Sequence, residues 1–234
     1  AVLGHPIIAG INGVNGVSTL GFAVCTWIFV PCNCTFEQPC QLDTPVLKDL
    51  LTDPCVATLM GGSIKIQDAL ATALKQSGGS LPTLNADEIM EITFHQVNAD
   101  GGGPFVAMVN SDVTGKDLTV TAAMQQVPGV NGLLRGGITG SQMIVKVDDP
   151  SRCTGSTSGD VCFTCLNNGG AGLENSVANS AGPFGDCMAV SGMSILACRS
   201  LFAILMSIIY EAGTGKSASG SGVLSSAASA TASA

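Results

Sequence analysis

The chain has 234 residues, enough for one domain with a proper core or for one domain and a tail. Nine Lys and Arg stand against seventeen Asp and Glu, giving a net charge of -8. That balance excludes the clustered cations a nucleic-acid backbone requires, and an anionic membrane surface would repel it. Charged residues make up 11% and aromatics 4%, with 30 glycines, a composition suited to short strands and turns rather than long charged helices.

Ala1–Gly4 read as the end of a signal peptide, with Val2 and Gly4 placed for cleavage before His5. A secreted domain is expected over 5–197, an apolar segment over 198–211 and a disordered Ser/Ala-rich tail over 212–234. Residues 5 to about 24 mix aliphatics with Gly and Asn, as short strands joined by turns do. Thr44-Pro45 predicts a short helix through Asp53, with Thr as N-cap and Pro at the first helical position. Ile64–Gln76 is Ala-rich, free of Gly and Pro, and predicts a second helix.

From Met90 the period changes to two. Met90, Ile92 and Phe94 alternate with Glu91, Thr93 and His95, which predicts a half-buried strand with His95 on its accessible face. Further strands are predicted at Phe105–Asn110, Leu118–Gln125 and Gln142–Val147, with turns at Pro128-Gly129 and Arg135–Gly137. The series reads as a mainly β protein: a disulfide-stabilised antiparallel β-sandwich with short helices and long loops. Ser200–Tyr210 is apolar but too short for a bilayer span, which takes about 20 residues. Its polar sequel does not fit a lipid-anchor signal.

The ten cysteines fall into two groups, Cys25 to Cys55 and Cys153 to Cys198. Cys162-Phe163-Thr164-Cys165 is the only C-x-x-C, without a second pair at zinc-finger distance. Disulfides in an oxidising compartment are the better account, with Cys34, Cys40, Cys55, Cys153, Cys162, Cys165 and Cys187 as candidates whose partners spacing does not assign. Asn33-Cys34-Thr35 is the chain's one N-glycosylation sequon and agrees with export.

Gly213-Thr214-Gly215-Lys216-Ser217 imitates the end of a phosphate-binding loop, but Tyr210 stands where its first glycine belongs, so no nucleotide site is expected. A serine hydrolase is excluded by the lack of a G-x-S-x-G elbow, and Glu88, Glu91 and Asp100 form no recognisable glycosidase pair. The two histidines, His5 and His95, are the remaining chemistry. With His5 as first residue, its amine and imidazole plus the His95 imidazole would offer copper three nitrogens in one plane. That is the histidine brace of lytic polysaccharide monooxygenases, which also use a β-sandwich. Phe105 is a candidate axial neighbour, and a polysaccharide the corresponding substrate.

His95-Gln96-Val97-Asn98-Ala99-Asp100-Gly101-Gly102-Gly103-Pro104-Phe105 and Pro128-Gly129-Val130-Asn131-Gly132-Leu133 resemble signature blocks of the Egh-type (MAS-type) secreted fungal virulence factors. Cys153-Thr154-Gly155 and Ala181-Gly182-Pro183-Phe184-Gly185-Asp186-Cys187 follow in the same order, and Cys34, Cys40–Thr44 and Cys55 fit the N-terminal cysteine pattern. The resemblance spans about residues 5 to 190. It implies an extracellular, appressorium-associated protein acting at the cell wall or host surface, with a His near the mature N-terminus and another opening the first block; these fall on His5 and His95. Departures are Pro6 after the histidine, an insertion at Thr26–Asn33 with Cys25 and Cys32, and an apolar run where the family continues charged. The alternative implied function is a non-catalytic effector or wall-binding protein.

Overall fold

The computed structural model describes residues 6–24, 43–48, 53–136, 140–149, 152–169 and 180–192. The chain divides into two compact units, Ala1–Ser194 and Ile195–Ala234, and every described residue belongs to the first. The segments expected at 198–211 and 212–234 therefore lie outside the described residues, as do His5, Asn33, Cys34 and Cys40.

The antiparallel sandwich is present. Strands β1 (Pro6–Asn12), β2 (Ser18–Thr19), β3 (Pro45–Val46), β4 (Ala57–Thr58) and β5 (Gly62–Ser63) precede helix α1 (Ile66–Gln76). After it come β6 (Ile89–Gln96), β7 (Val106–Asn110), β8 (Thr119–Thr121), β9 (Ala123–Gln125), β10 (Gly140–Lys146), β11 (Val161–Asn167) and β12 (Gly185–Ser191). One sheet has the order β2-β1-β6-β10-β9 and the other β12-β11-β7-β8, with β3-β4-β5 as a small third sheet.

The alternation read from Met90 onward decides how the first sheet packs. Met90, Ile92 and Phe94 from β6 meet Ile8 and Ile11 from β1, Met143 and Val145 from β10, and Leu166, Met188 and Val190 from the second sheet. The second sheet is covered on its other face as well. There Phe163, Cys165 and Ala189 pack on Ile66, Ala69, Leu70 and Ala73 of α1 and on Phe22, Leu47 and Val56. A strand buried on both faces shows no alternation, which is why Val161–Asn167 is apolar or neutral throughout and buried along its whole length.

The helix expected at Ile64–Gln76 forms as α1, starting two residues later. The segment expected at Leu118–Gln125 is two strands. The chain changes sheets at Ala122, whose carbonyl accepts the Lys146 amide. The helix expected to open at Thr44-Pro45 is corrected: Pro45 and Val46 pair with Thr58 and Ala57. The Asp43 carboxylate explains the preference, since it accepts the Met60 amide at 2.8 Å and the Gly61 amide at 2.9 Å and so closes the β4–β5 turn beside β3.

Of the candidate cysteines, Cys153 is bonded to Cys162 and Cys165 to Cys187. Cys165 and Cys187 are direct cross-strand partners in β11 and β12, so the bond staples the doubly covered strand to its neighbour. Cys55 is corrected from a disulfide candidate to a free thiol, buried among the aliphatic residues under α1, where burial pushes its pKa up.

Candidate functional site

The glycine-rich blocks that the sequence singles out come together in space at the end of β6. The Gln96 side chain donates to the Asn98 carbonyl at 2.7 Å and to the Leu134 carbonyl at 2.8 Å, joining the first block to the second. Asn98 Oδ1 accepts the Asp100 amide at 3.2 Å and caps a 3-10 turn over Ala99–Gly101. The two loops then pair by their backbones. Gly102 donates to Gly132 at 3.0 Å, Gly103 to Pro128 at 3.0 Å, Gly132 to Gly103 at 3.0 Å and Leu134 to Ala99 at 2.8 Å.

Such close pairing explains the glycines. A Cβ at Gly103 would stand 2.2 Å from the Val127 carbonyl oxygen, and one at Gly102 would stand 2.6 Å from the Leu133 carbonyl carbon. Gln126 closes the loop base: its side chain accepts the Phe105 amide and donates to the Phe105 carbonyl, both at 2.8 Å.

Asn168 is the centre of this knot. It is fully buried, and its Nδ2 donates to the carbonyls of Asp100 and Gly102, each at 3.0 Å. Its Oδ1 accepts the Phe184 amide at 3.0 Å, and its own amide donates to the Phe184 carbonyl at 3.0 Å. Ala181 donates to Asn131 at 2.8 Å, so the Ala181–Cys187 block is tied to the second as well. One side chain thus holds blocks that lie 66 and 16 residues away from it in the chain. Sequence reasoning missed Asn168; its position between Asn167 and Gly169, just past an apolar run, reads only as a turn.

His95 lies one residue before Gln96. It stands across from Ile7 on β1 and from Gly140 on β10, on the face of β6 opposite to Phe94. The expected accessibility is corrected: His95 is only 8% exposed. Its cross-strand partner Ile7 is 1% exposed, so this end of the outer face is covered, while Glu91 further along the same face is exposed. Phe105 is also corrected. It packs on Phe94 with ring centroids 4.9 Å apart, inside the sandwich and on the opposite side of β6 from His95, which removes it as an axial neighbour.

The register brings the start of β1 to this site. Pro6 is the cross-strand partner of Gln96. Among the described residues no group of three or more His, Cys, Asp and Glu is arranged to hold a metal ion. Elsewhere a cleft of about 270 Å³ opens beside β8, lined by Asp117, Asp148, Asp149 and Arg152 among others. It contains neither histidine.

No helix among the described residues is long and apolar enough to cross a membrane. No solved structure matches the chain. The chain is 29% identical over 192 residues to the appressoria-specific virulence factor GAS1 of Pyricularia oryzae, covering 80% of this chain and 72% of that protein. It is 33% identical over 126 residues to the appressoria-specific virulence factor GAS2 of the same organism, covering 51% of this chain and 40% of that one. The profile of the Egh16-like virulence factors matches residues 3–185, and the chain belongs to that family.

Proposed function

We propose that this protein is a secreted virulence factor acting at the fungal surface or host interface, and that His5 and His95 form a copper-binding pair at the loop knot. The observation that carries the pair is the β1–β6 register. Pro6 stands opposite Gln96 and Ile7 opposite His95, so β1 begins beside the strand end that carries His95. The reading also takes support from two disulfides among the described residues, which belong to an oxidising compartment, and from relatives named as appressoria-specific virulence factors.

The donor set fits copper in kind: imidazole nitrogens and, if processing frees His5, a terminal amine. Bound copper would supply one-electron chemistry for oxidising a polysaccharide. The chain's own contribution is positional. The knot fixes the backbone after His95 through Gln96, and the β1 pairing fixes the segment that follows His5. Copper titration of a chain beginning at His5, followed by electron paramagnetic resonance, tests the pair; no binding in the micromolar range would remove it.

The burial of His95 favours a second reading, a non-catalytic effector or wall-binding protein. In that reading the signature blocks serve the rigidity of the knot rather than a reaction. The same titration separates the two.

A further inference from the structure

Residues Gly21–Val24 lie as a strap against β12, an edge strand of the second sheet, and against β1. The Gly21 amide donates to Ile8 at 3.0 Å, and the Phe22 amide donates to Cys187 at 2.7 Å. The Phe22 ring stacks on Phe163 with centroids 5.9 Å apart. Another tie among the described residues is a side chain. Asp186 Oδ1 accepts the Ala23 amide at 2.9 Å and the Cys187 amide at 2.7 Å.

Asp186 is a poor place for a charge. It is 1% exposed and its Oδ2 makes no hydrogen bond. Gly21 lies directly against that oxygen, where an added Cβ would be 2.0 Å away. The elements packed on it bring Ile8 from β1, Leu166 from β11 and the strap itself, none of them charged. Among the described residues the titratable group facing it is the buried Cys55 thiol, which also feels Asp53; neither supplies a cation. The ion pair among the described residues, Lys146 with Glu88, lies elsewhere.

We propose that Asp186 is a proton-operated latch: the neutral carboxyl keeps the Gly21–Val24 strap seated on β12, and ionisation releases the strap. A carboxylate without a cation is costly in the core, and lifting Gly21 away from Oδ2 would bring water to it. Burial pushes Asp186 up to about 7, with the nearby backbone amides offsetting only part of that rise. The group is therefore neutral in an acidic medium and charges as the medium becomes neutral to alkaline. The strap is the chain's passage into the N-terminal cysteine group, which begins at Cys25.

Hydrogen exchange at pH 5 and pH 8.5, corrected for the intrinsic chemical rate, tests the latch on the intact protein. The Phe22 and Ala23 amides are expected to lose about tenfold or more of their protection at the higher pH, with those of α1 unchanged. Asp186→Asn, which stays neutral, is expected to hold that protection at both values. Equal protection of wild-type amides at the two pH values, or an equal loss in Asp186→Asn, would overturn the proposal. Should the variant not fold, carbon-13 titration of the wild-type Asp186 carboxyl decides the matter: a midpoint shared with the loss of strap protection supports the latch, and separate midpoints overturn it.

Discussion

Asn168 ties three separate loop segments through one buried side chain. Replacing it by Ala leaves two buried carbonyls without their donor and the Phe184 amide without its acceptor. The expected loss is about 3 kcal/mol, read as a lower denaturant midpoint in urea unfolding; a change under about 0.5 kcal/mol would mean that the knot is held by its backbone pairs alone. The glycines separate close approach from mere composition. Gly103→Ala must displace the Val127 carbonyl and is expected to destabilise by about 2 kcal/mol or more. Gly140→Ala, with nothing within 4 Å of the added carbon, is expected to stay within about 0.5 kcal/mol of the parent. Asp186 adds a pH dependence at the same scale. Its folded-state pKa is raised above the usual carboxylate value, so its contribution to stability is complete in acid and is lost as pH rises through about 7. The melting temperature is expected to be higher at pH 5 than at pH 8, and Asp186→Asn is expected to reduce that difference.

At the scale of elements, the legible ones were those with a single buried face. β6 declared itself by alternation, and α1 by an Ala-rich run without Gly or Pro. β11 and β12 gave no such signal, because α1 and the small sheet cover one side while the first sheet covers the other. A continuous run such as Val161–Leu166 between turn residues was the available sign of a strand buried on both faces. The same logic explains the misread Thr44-Pro45: its capping residues are good local signals, but pairing with β4 and the Asp43 bonds to a turn 17 and 18 residues away decide the conformation. His95 was placed on the correct face and given the wrong exposure, since alternation says which face a side chain takes and nothing about what covers it. The disulfides supply a prediction here. Replacing Cys165 and Cys187 by Ala is expected to cost about 3 kcal/mol through the freer unfolded chain, seen as a lower unfolding midpoint. By contrast, the peptide carrying Cys55 is expected to resist alkylation until denaturant is added, because burial keeps its thiol neutral.

The whole molecule combines an acidic chain, a sandwich with both of its main sheets covered on the core side, and one loop knot built from the family's signature blocks. Its charge of -8 argues for partners that are neutral or cationic, and the chain is expected in the flow-through of a heparin column at pH 7 and moderate salt. The knot could not be foreseen from the sequence, although its three blocks were each visible there. What joins them is a side chain and backbone pairs spanning tens of residues, and no local pattern reports such pairing. The functional reading rests on where β1 begins, beside the strand end that carries His95. The decisive measurement is copper titration, by calorimetry and electron paramagnetic resonance, of protein whose first residue is His5, beside its His95→Ala variant. One copper bound in the micromolar range or tighter, with nitrogen couplings that are lost in a folded His95→Ala variant, is the result predicted. Absence of binding, or binding that His95→Ala leaves unchanged, would contradict the histidine pair.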